Sequence, residues 1–153
     1  MKKIRGQELM LFLHGKSIAF ATNHTLNISG NTEDTSNKDE GAGDWASSEV
    51  SLLNWQITTE NLFSLDGEGN NYADLFDAMI AKEPITAVFG MHAESGTEVP
   101  SGGWTPKAAS AANPMYEGDV VITELDLTAQ NGQFANFTAT FQGVGALKKK
   151  VTA

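Results

Sequence analysis

The stretch "VVITELDLTAQNGQFANFTATF", Val120 to Phe141, constrains the architecture of this chain more than any other. Apolar residues alternate with polar ones on both sides of Asn131-Gly132, so the two runs read as antiparallel strands joined by a short turn. A plain two-residue turn at Asn131-Gly132 sets Leu125 opposite Thr138, an inward residue against an outward one. A three-residue loop, Gln130-Asn131-Gly132 with Gly132 left-handed, sets Leu125 opposite Phe137 and Val121 opposite Phe141. Each strand then shows one apolar face and one face of Thr, Asn, Asp and Glu. The pattern therefore predicts a bulged hairpin.

Most of the remaining chain also reads as strand. "ELMLFL", "SIAFA" (Ser17 to Ala21) and "HTLNIS", with Leu26 and Ile28 on one face, form a plausible meander. Further on, Val50 and Leu52 share one parity, whereas Leu53, Trp55, Ile57 and Thr59 share the other. A bulge between residues 52 and 53 would reconcile the two faces. "NNYADLFDAMIAKEP" breaks the pattern. There Tyr72, Leu75, Phe76, Met79 and Ile80 recur at helical spacing, Asn70 or Asn71 can cap the start, and Pro84 lies past the end. This predicts one amphipathic helix lying on a sheet, followed by the strand "ITAVFGM".

Two long polar stretches interrupt the strands, Gly30 to Glu49 and His92 to Pro114, and together they take up over a quarter of the 153 residues. Structureless loops of that length are uncommon inside a compact domain and are usually functional or disordered. Each carries one tryptophan, Trp45 and Trp104, in polar surroundings. Indoles are costly to leave in water and are enriched at interface anchors, so one reading has each stretch ordering against another copy of the chain. The other reading is solvated surface. The expected organisation is a single domain over residues 1–153, with long loops at about 30–49 and 92–115.

Composition and motifs remove several function classes. There is no cysteine, hence no disulfide framework, thiolate nucleophile or cysteine zinc site. The amino terminus is basic, but its apolar run Leu9 to Leu13 is short for a secretion signal, which suggests a cytosolic product. That reading also deprives the sequons at Asn23, Asn27 and Asn136 of meaning. With 10 Lys+Arg against 19 Asp+Glu, the net charge of −9 leaves only "LKKK" at 147–150 as a basic cluster, a poor grip for nucleic acid. Gly15-Lys16-Ser17 imitates the end of a phosphate-binding loop. However, Met10 stands where its first glycine belongs and a strand follows where a helix should, so a hairpin turn accounts for it better.

"DGEGNNYADLFD" imitates a calcium loop, with Asp66, Glu68, Asn70, Asp74 and Asp77 at positions 1, 3, 5, 9 and 12. Asn71 replaces its turn glycine, and Asp77 its closing glutamate. The histidines His14, His24 and His92 stand in separate segments, and no G-x-S-x-G elbow occurs. These observations point to no catalytic residue and no cofactor or metal; the chain is expected not to be an enzyme. A monomeric calcium- or carbohydrate-binding β-sandwich module is an alternative.

The runs "GKSIAFATNHTLNISGNTEDTSNKDEG", "LNWQITTENLF" and "ITELDLTAQNGQFANFTATFQGVGAL" resemble the major tail protein family of long-tailed bacteriophages, the subunits of the tail tube. The likeness covers the Gly15 to Ala19 hairpin, the Asp34 to Asp39 segment, the Trp55 strand and the closing aromatic strand with Gly143 and Gly145. It implies a mainly β fold, a sandwich or barrel-like subunit flanked by one helix. It also implies homo-hexameric rings stacked into a hollow tube, with other tail proteins as further partners and no membrane. DNA would pass through without specific binding, helped by a formal ring charge of 6 × −9 = −54. The expected location is the virion tail, after assembly in the bacterial host cytoplasm, and a contractile secretion tube is an alternative. Asp34, Thr35, Ser36, Lys38, Asp39, Trp45 and Trp104 are the expected contacts between subunits or rings, with Gly30 to Glu49 ordering on a neighbouring ring.

Overall fold

A computed structural model describes residues 3–18, 21–36, 45, 47–63, 70–92 and 103–151. Seven strands form one antiparallel sheet: β1 (Leu9–Leu13), β2 (Lys16–Ser17), β3 (Ala21–Asp34), β4 (Ser48–Leu62), β5 (Ile85–Met91), β6 (Met115–Thr128) and β7 (Asn136–Lys150). Their spatial order is β2-β1-β5-β6-β7-β4-β3. The expected meander therefore ends after β2. β3 lies at the other edge, because Leu26 and Ile28 find their cross-strand partners in Ile57 and Trp55 of β4. His14 and Gly15 make the β1–β2 turn with φ of 53° and 77°, the left-handed pair that a two-residue hairpin needs. Of the expected strand 17–21, Ser17 belongs to β2 and Ile18 bridges Asn70, while residues 19 and 20 lie outside the described set.

The sheet curls so that its two ends meet. The His24 ring of β3 stands edge-on to Phe89 of β5, with centroids 6.5 Å apart. The enclosed core contains Leu11 and Leu13 from β1, Trp55 and Ile57 from β4, Val120 and Ile122 from β6, and Phe137 and Phe141 from β7. Helix α1 (Tyr72–Ala81) closes it. Asn71 caps the helix by accepting from the Asp74 N–H (3.1 Å), and Asp74 accepts from the Asn71 N–H in return (3.2 Å). Leu75 is buried, and Tyr72 packs against Phe137 (5.2 Å). The apolar stripe read from the sequence is wider than the buried one, since Phe76 and Ile80 remain exposed.

The β6–β7 hairpin keeps its expected faces on β7 and at Leu125 and Leu127 of β6, but not at Val121, and not its expected register. Gly132 is left-handed (φ 86°), yet the connection runs from Ala129 to Ala135, so Leu127 faces Phe137 and Leu125 faces Ala139. An extra residue at Thr123 turns Val121 outward, opposite Gln142 and not Phe141.

A second, smaller core lies on the other side of the β1–β5 end. Phe12, Trp104, Ala109 and Met115 are buried together there, with Met10 and Val88 against them. Within the stretch expected as a loop at 92–115, residues 103–114 thus seal one face of the sheet, and Met115 already belongs to β6.

Candidate assembly surfaces

β4 parts from β7 beyond Gln56, opposite Gln142, while its pairing with β3 continues to Asp34 opposite Ser48. Residues 28–34 and 48–55 consequently form a two-stranded arm that leaves the body of the sheet. Its ladder is extended by the Thr35 N–H donating to the Ser47 carbonyl (2.9 Å) and the Ser47 N–H donating to Ser36 Oγ (2.7 Å). Much of the expected loop 30–49 is therefore strand: Gly30 to Asp34, and Ser48 to Glu49. The bulge sits at Ser51, between the pairs Asn31–Leu52 and Thr32–Val50, and not between 52 and 53. That position moves Val50 onto the face of Leu53, where both flank Gly30; a Cβ built on Gly30 would lie 2.9 Å from Val50 Cγ1 and 3.3 Å from Leu53 Cδ2.

The core-facing side of β3 and β4 thus continues out along the arm with none of the described residues packed over it. Ile28, Val50 and Leu53 are 58%, 60% and 72% exposed. Sequence reading missed this stripe because it weighed the segment by its polarity. The signal was the alternation of Leu26 and Ile28 running into it, matched on β4 by Val50 and Leu53. The other side of the arm tip is acidic, with Glu33 directly opposite Glu49. Like charges so placed repel. At the tip, Asp34 Oδ1 accepts from the Ser36 N–H (2.9 Å), which holds its carboxyl below the usual range, with the Ser36 hydroxyl adding to the effect.

Of the residues expected at the interface, Asp34, Thr35 and Ser36 stand together at this tip. Trp45 is 83% exposed. Lys38 and Asp39 lie outside the described residues. Trp104 does not join them. It is buried in the second core, its ring 4.2 Å from that of His92, its N–H donating to Ser17 Oγ (3.0 Å) and its carbonyl accepting from the Ser17 N–H (3.0 Å). The hydrophobic demand of its indole is met within the chain.

The base of the arm is anchored by Trp55. Its indole crosses β7 and β6 at Gly143 and Gly118, where side chains would collide with it, and Nε1 donates to the Gly145 carbonyl (3.0 Å). Gly145 is left-handed (φ 79°), which turns that carbonyl out of the ladder. On the opposite face, Gln142 Nε2 donates to the Trp55 carbonyl (3.2 Å).

Away from the β1–β5 end, which residues 103–114 cover, that opposite face is the open side of the sheet. Asn27, Ser29, Asn54, Gln56 and Gln142 line a depression on it, and Thr58, Glu60, Thr138, Thr140, Glu124 and Asp126 continue it. Glu124 shares a hydrogen bond with Asp126, and this contact and the charge of Asp126 raise its pKa. β3, β4 and β6 contain no Lys or Arg, and β7 contains them only at Lys148, Lys149 and Lys150.

The imitation motifs have structural roles. Lys16 follows a hairpin turn. Asn70 donates through Nδ2 to the carbonyls of Leu13 (3.1 Å) and Lys16 (3.0 Å), and Asp74 caps α1, so two positions of the calcium-like loop are already engaged. Asp66 and Glu68 lie outside the described residues.

Among known structures, the chain is similar to a subunit of the virion of a native gene transfer agent particle, at 15% identity and a TM-score of 0.73, covering 97% of this chain and all of that one. The SPP1 tail tube aligns at 9% identity and a TM-score of 0.65, over 97% of this chain and 81% of that one. A sheath–tube complex of an extracellular contractile injection system, in its extended state, aligns at 14% and 0.63, over 98% and 93%. These likenesses establish the fold. No curated protein sequence matches significantly. The family model described as phage tail tube protein matches residues 14–149, and the chain belongs to that family.

Proposed function

We propose that this tail tube protein closes into hexameric rings that stack head to tail, and that its arm becomes ordered against a neighbouring copy. The observation that carries the reading is the arm. A two-stranded ribbon is marginally stable alone, and this one presents three exposed aliphatic side chains on a face that is continuous with the core. Covering that face with a second copy supplies the missing layer and removes a free sheet edge. C6 symmetry in the tail of a similar gene transfer agent particle supports the ring number.

The open face of β3, β4, β6 and β7 is the wall of the bore in this reading. Over the stretch from Asn27 and Asn54 to Thr138 and Asp126, amides, hydroxyls and carboxylates stand without interleaved cations, the lysines being confined to the far end of β7, where Lys150 pairs with Glu117 (3.8 Å). Such a wall repels phosphates and gives DNA no fixed counter-charge, so the genome slides. Assembly takes place in the host cytoplasm, and the tube remains in the virion tail. Other tail proteins adjoin the ends of the stack.

Negative-stain imaging with mass measurement at rising protein concentration tests the proposal. Hollow rings and tubes with a six-subunit repeat are expected. A particle that stays monomeric throughout would overturn it.

A further inference from the structure

The end of the sheet away from the arm has a character of its own. The β6–β7 connection, Ala129 to Ala135, holds no ionisable residue in a chain of net charge −9. Phe134 projects from it, 86% exposed. Leu127 and Leu62, at the adjoining ends of β6 and β4, are 46% and 39% exposed. The turn is braced, since Gln133 N–H donates to the Gln130 carbonyl (3.1 Å) and the Ala135 carbonyl accepts from the Phe63 N–H (2.9 Å). A large aromatic ring is thus held out on a well-formed neutral knob.

β4 runs from Leu62, beside this knob, to Ser48 at the arm tip, so the knob and the arm occupy opposite ends of the molecule, roughly 50 Å apart at 3.3 Å per residue. Two unlike patches at opposite ends of one chain make a heterologous contact that propagates and does not close on itself. We propose that the Phe134 knob of one copy seats on the Ile28, Val50 and Leu53 stripe of the arm of the copy in the next ring. This rests on the tube reading and names the surface that receives the arm.

Charge favours that partner. The arm tip carries Glu33 opposite Glu49 on the side away from the stripe, so within a Debye length it repels an acidic surface and tolerates a neutral one. Gln130, Asn131 and Gln133 supply amide donors beside Phe134. The cationic run Lys148, Lys149 and Lys150 lies at the arm's own end of the sheet, opposite Met115 to Glu117, so head-to-tail stacking does not carry it to the arm.

The absence of native cysteine makes the test direct. Leu53→Cys and Phe134→Cys subunits are prepared separately, then mixed and oxidised, with Val50→Cys as the second arm variant. A disulfide-linked dimer at least tenfold more abundant in the mixture than in either subunit alone is expected. Phe134→Ser should keep the melting temperature and the rings of the unmodified chain while shortening tubes at least tenfold, and Phe134→Leu should restore them. If Phe134→Ser tubes are of normal length and the mixtures give no cross-link, the knob is not the receptor and the tube reading stands. If the unmodified chain forms no tubes at any concentration, both fail.

Discussion

The Trp55 indole fills the space above Gly143, so that a Cβ on the glycine would fall inside the van der Waals envelope of indole Cε2 and Nε1. Gly118 stands under the same ring, its ideal Cβ 2.6 Å from Cζ2. The contact joins the base of the arm to the two central strands, β6 and β7. Gly143→Ala must displace a buried ring whose Nε1 is already committed to Gly145, and overpacking of this kind costs about 1–3 kcal/mol. A drop in the urea midpoint at constant m-value is the expected result. Adding Trp55→Phe should relieve part of that loss, a non-additivity that two independent sites would not show.

His24 links folding to pH. Burial beside Phe89 pushes its pKa from 6.5 down to about 4, and Nδ1 has no hydrogen-bond partner among the described residues. The unfolded chain therefore takes up the proton first as pH falls. Stability is complete above about pH 6.5, is lost progressively from there to pH 4, and is flat in this respect below. Between pH 7.5 and 5 the loss amounts to about 2 kcal/mol. Denaturant titrations at the two values should show it, and His24→Leu should remove most of the difference; an equal pH dependence in both proteins would refute the assignment.

The two tryptophans in polar stretches should respond in opposite ways. Trp104 is 9% exposed between Phe12 and Met115, so Trp104→Ala is expected to cost about 3–5 kcal/mol in the free subunit. Trp45, at 83% exposed, should tolerate Trp45→Ala within about 0.5 kcal/mol. Thermal melts of the two variants, run below the concentration of assembly, separate these roles.

What could be read from the sequence follows from how local the determining contacts are. The helix was legible because Asn71, the i, i+3, i+4 spacing and the stop before Pro84 all act within one segment. The faces of β7 and of Leu125 and Leu127 in β6 were legible from alternation, but the face of Val121 and the register of the pair depend on the extra residue at Thr123 and on a connection that reaches Ala135. Neither leaves a signature in composition. β3 was placed beside β2 by sequence adjacency, whereas its partner is set by the side chains of β4. Trp104 looked unpartnered because Phe12 is distant in sequence. The signal was in β1: "LMLFL" is apolar at both parities, and a strand apolar on both faces needs cover on both. The arm tip at Asp34 to Ser36 was placed by resemblance alone, and its apolar stripe emerged only once the bulge at Ser51 had aligned Val50 with Leu53.

Leu53 separates folding from assembly. At 72% exposed it contributes little to the isolated subunit, so Leu53→Asn should leave the urea midpoint within about 0.5 kcal/mol of the parent. In the proposed contact the same side chain would be covered, and burying a leucine contributes about 1.5–3 kcal/mol to each contact. The concentration at which tubes first appear should therefore rise by at least about tenfold, since each 1.4 kcal/mol corresponds to a factor of ten. Sedimentation across a dilution series measures that threshold. Tubes forming at the parental threshold from a normally folded Leu53→Asn subunit would mean that the arm's apolar face stays in water after assembly, and the proposed layer between copies would have to be sought elsewhere on the sheet.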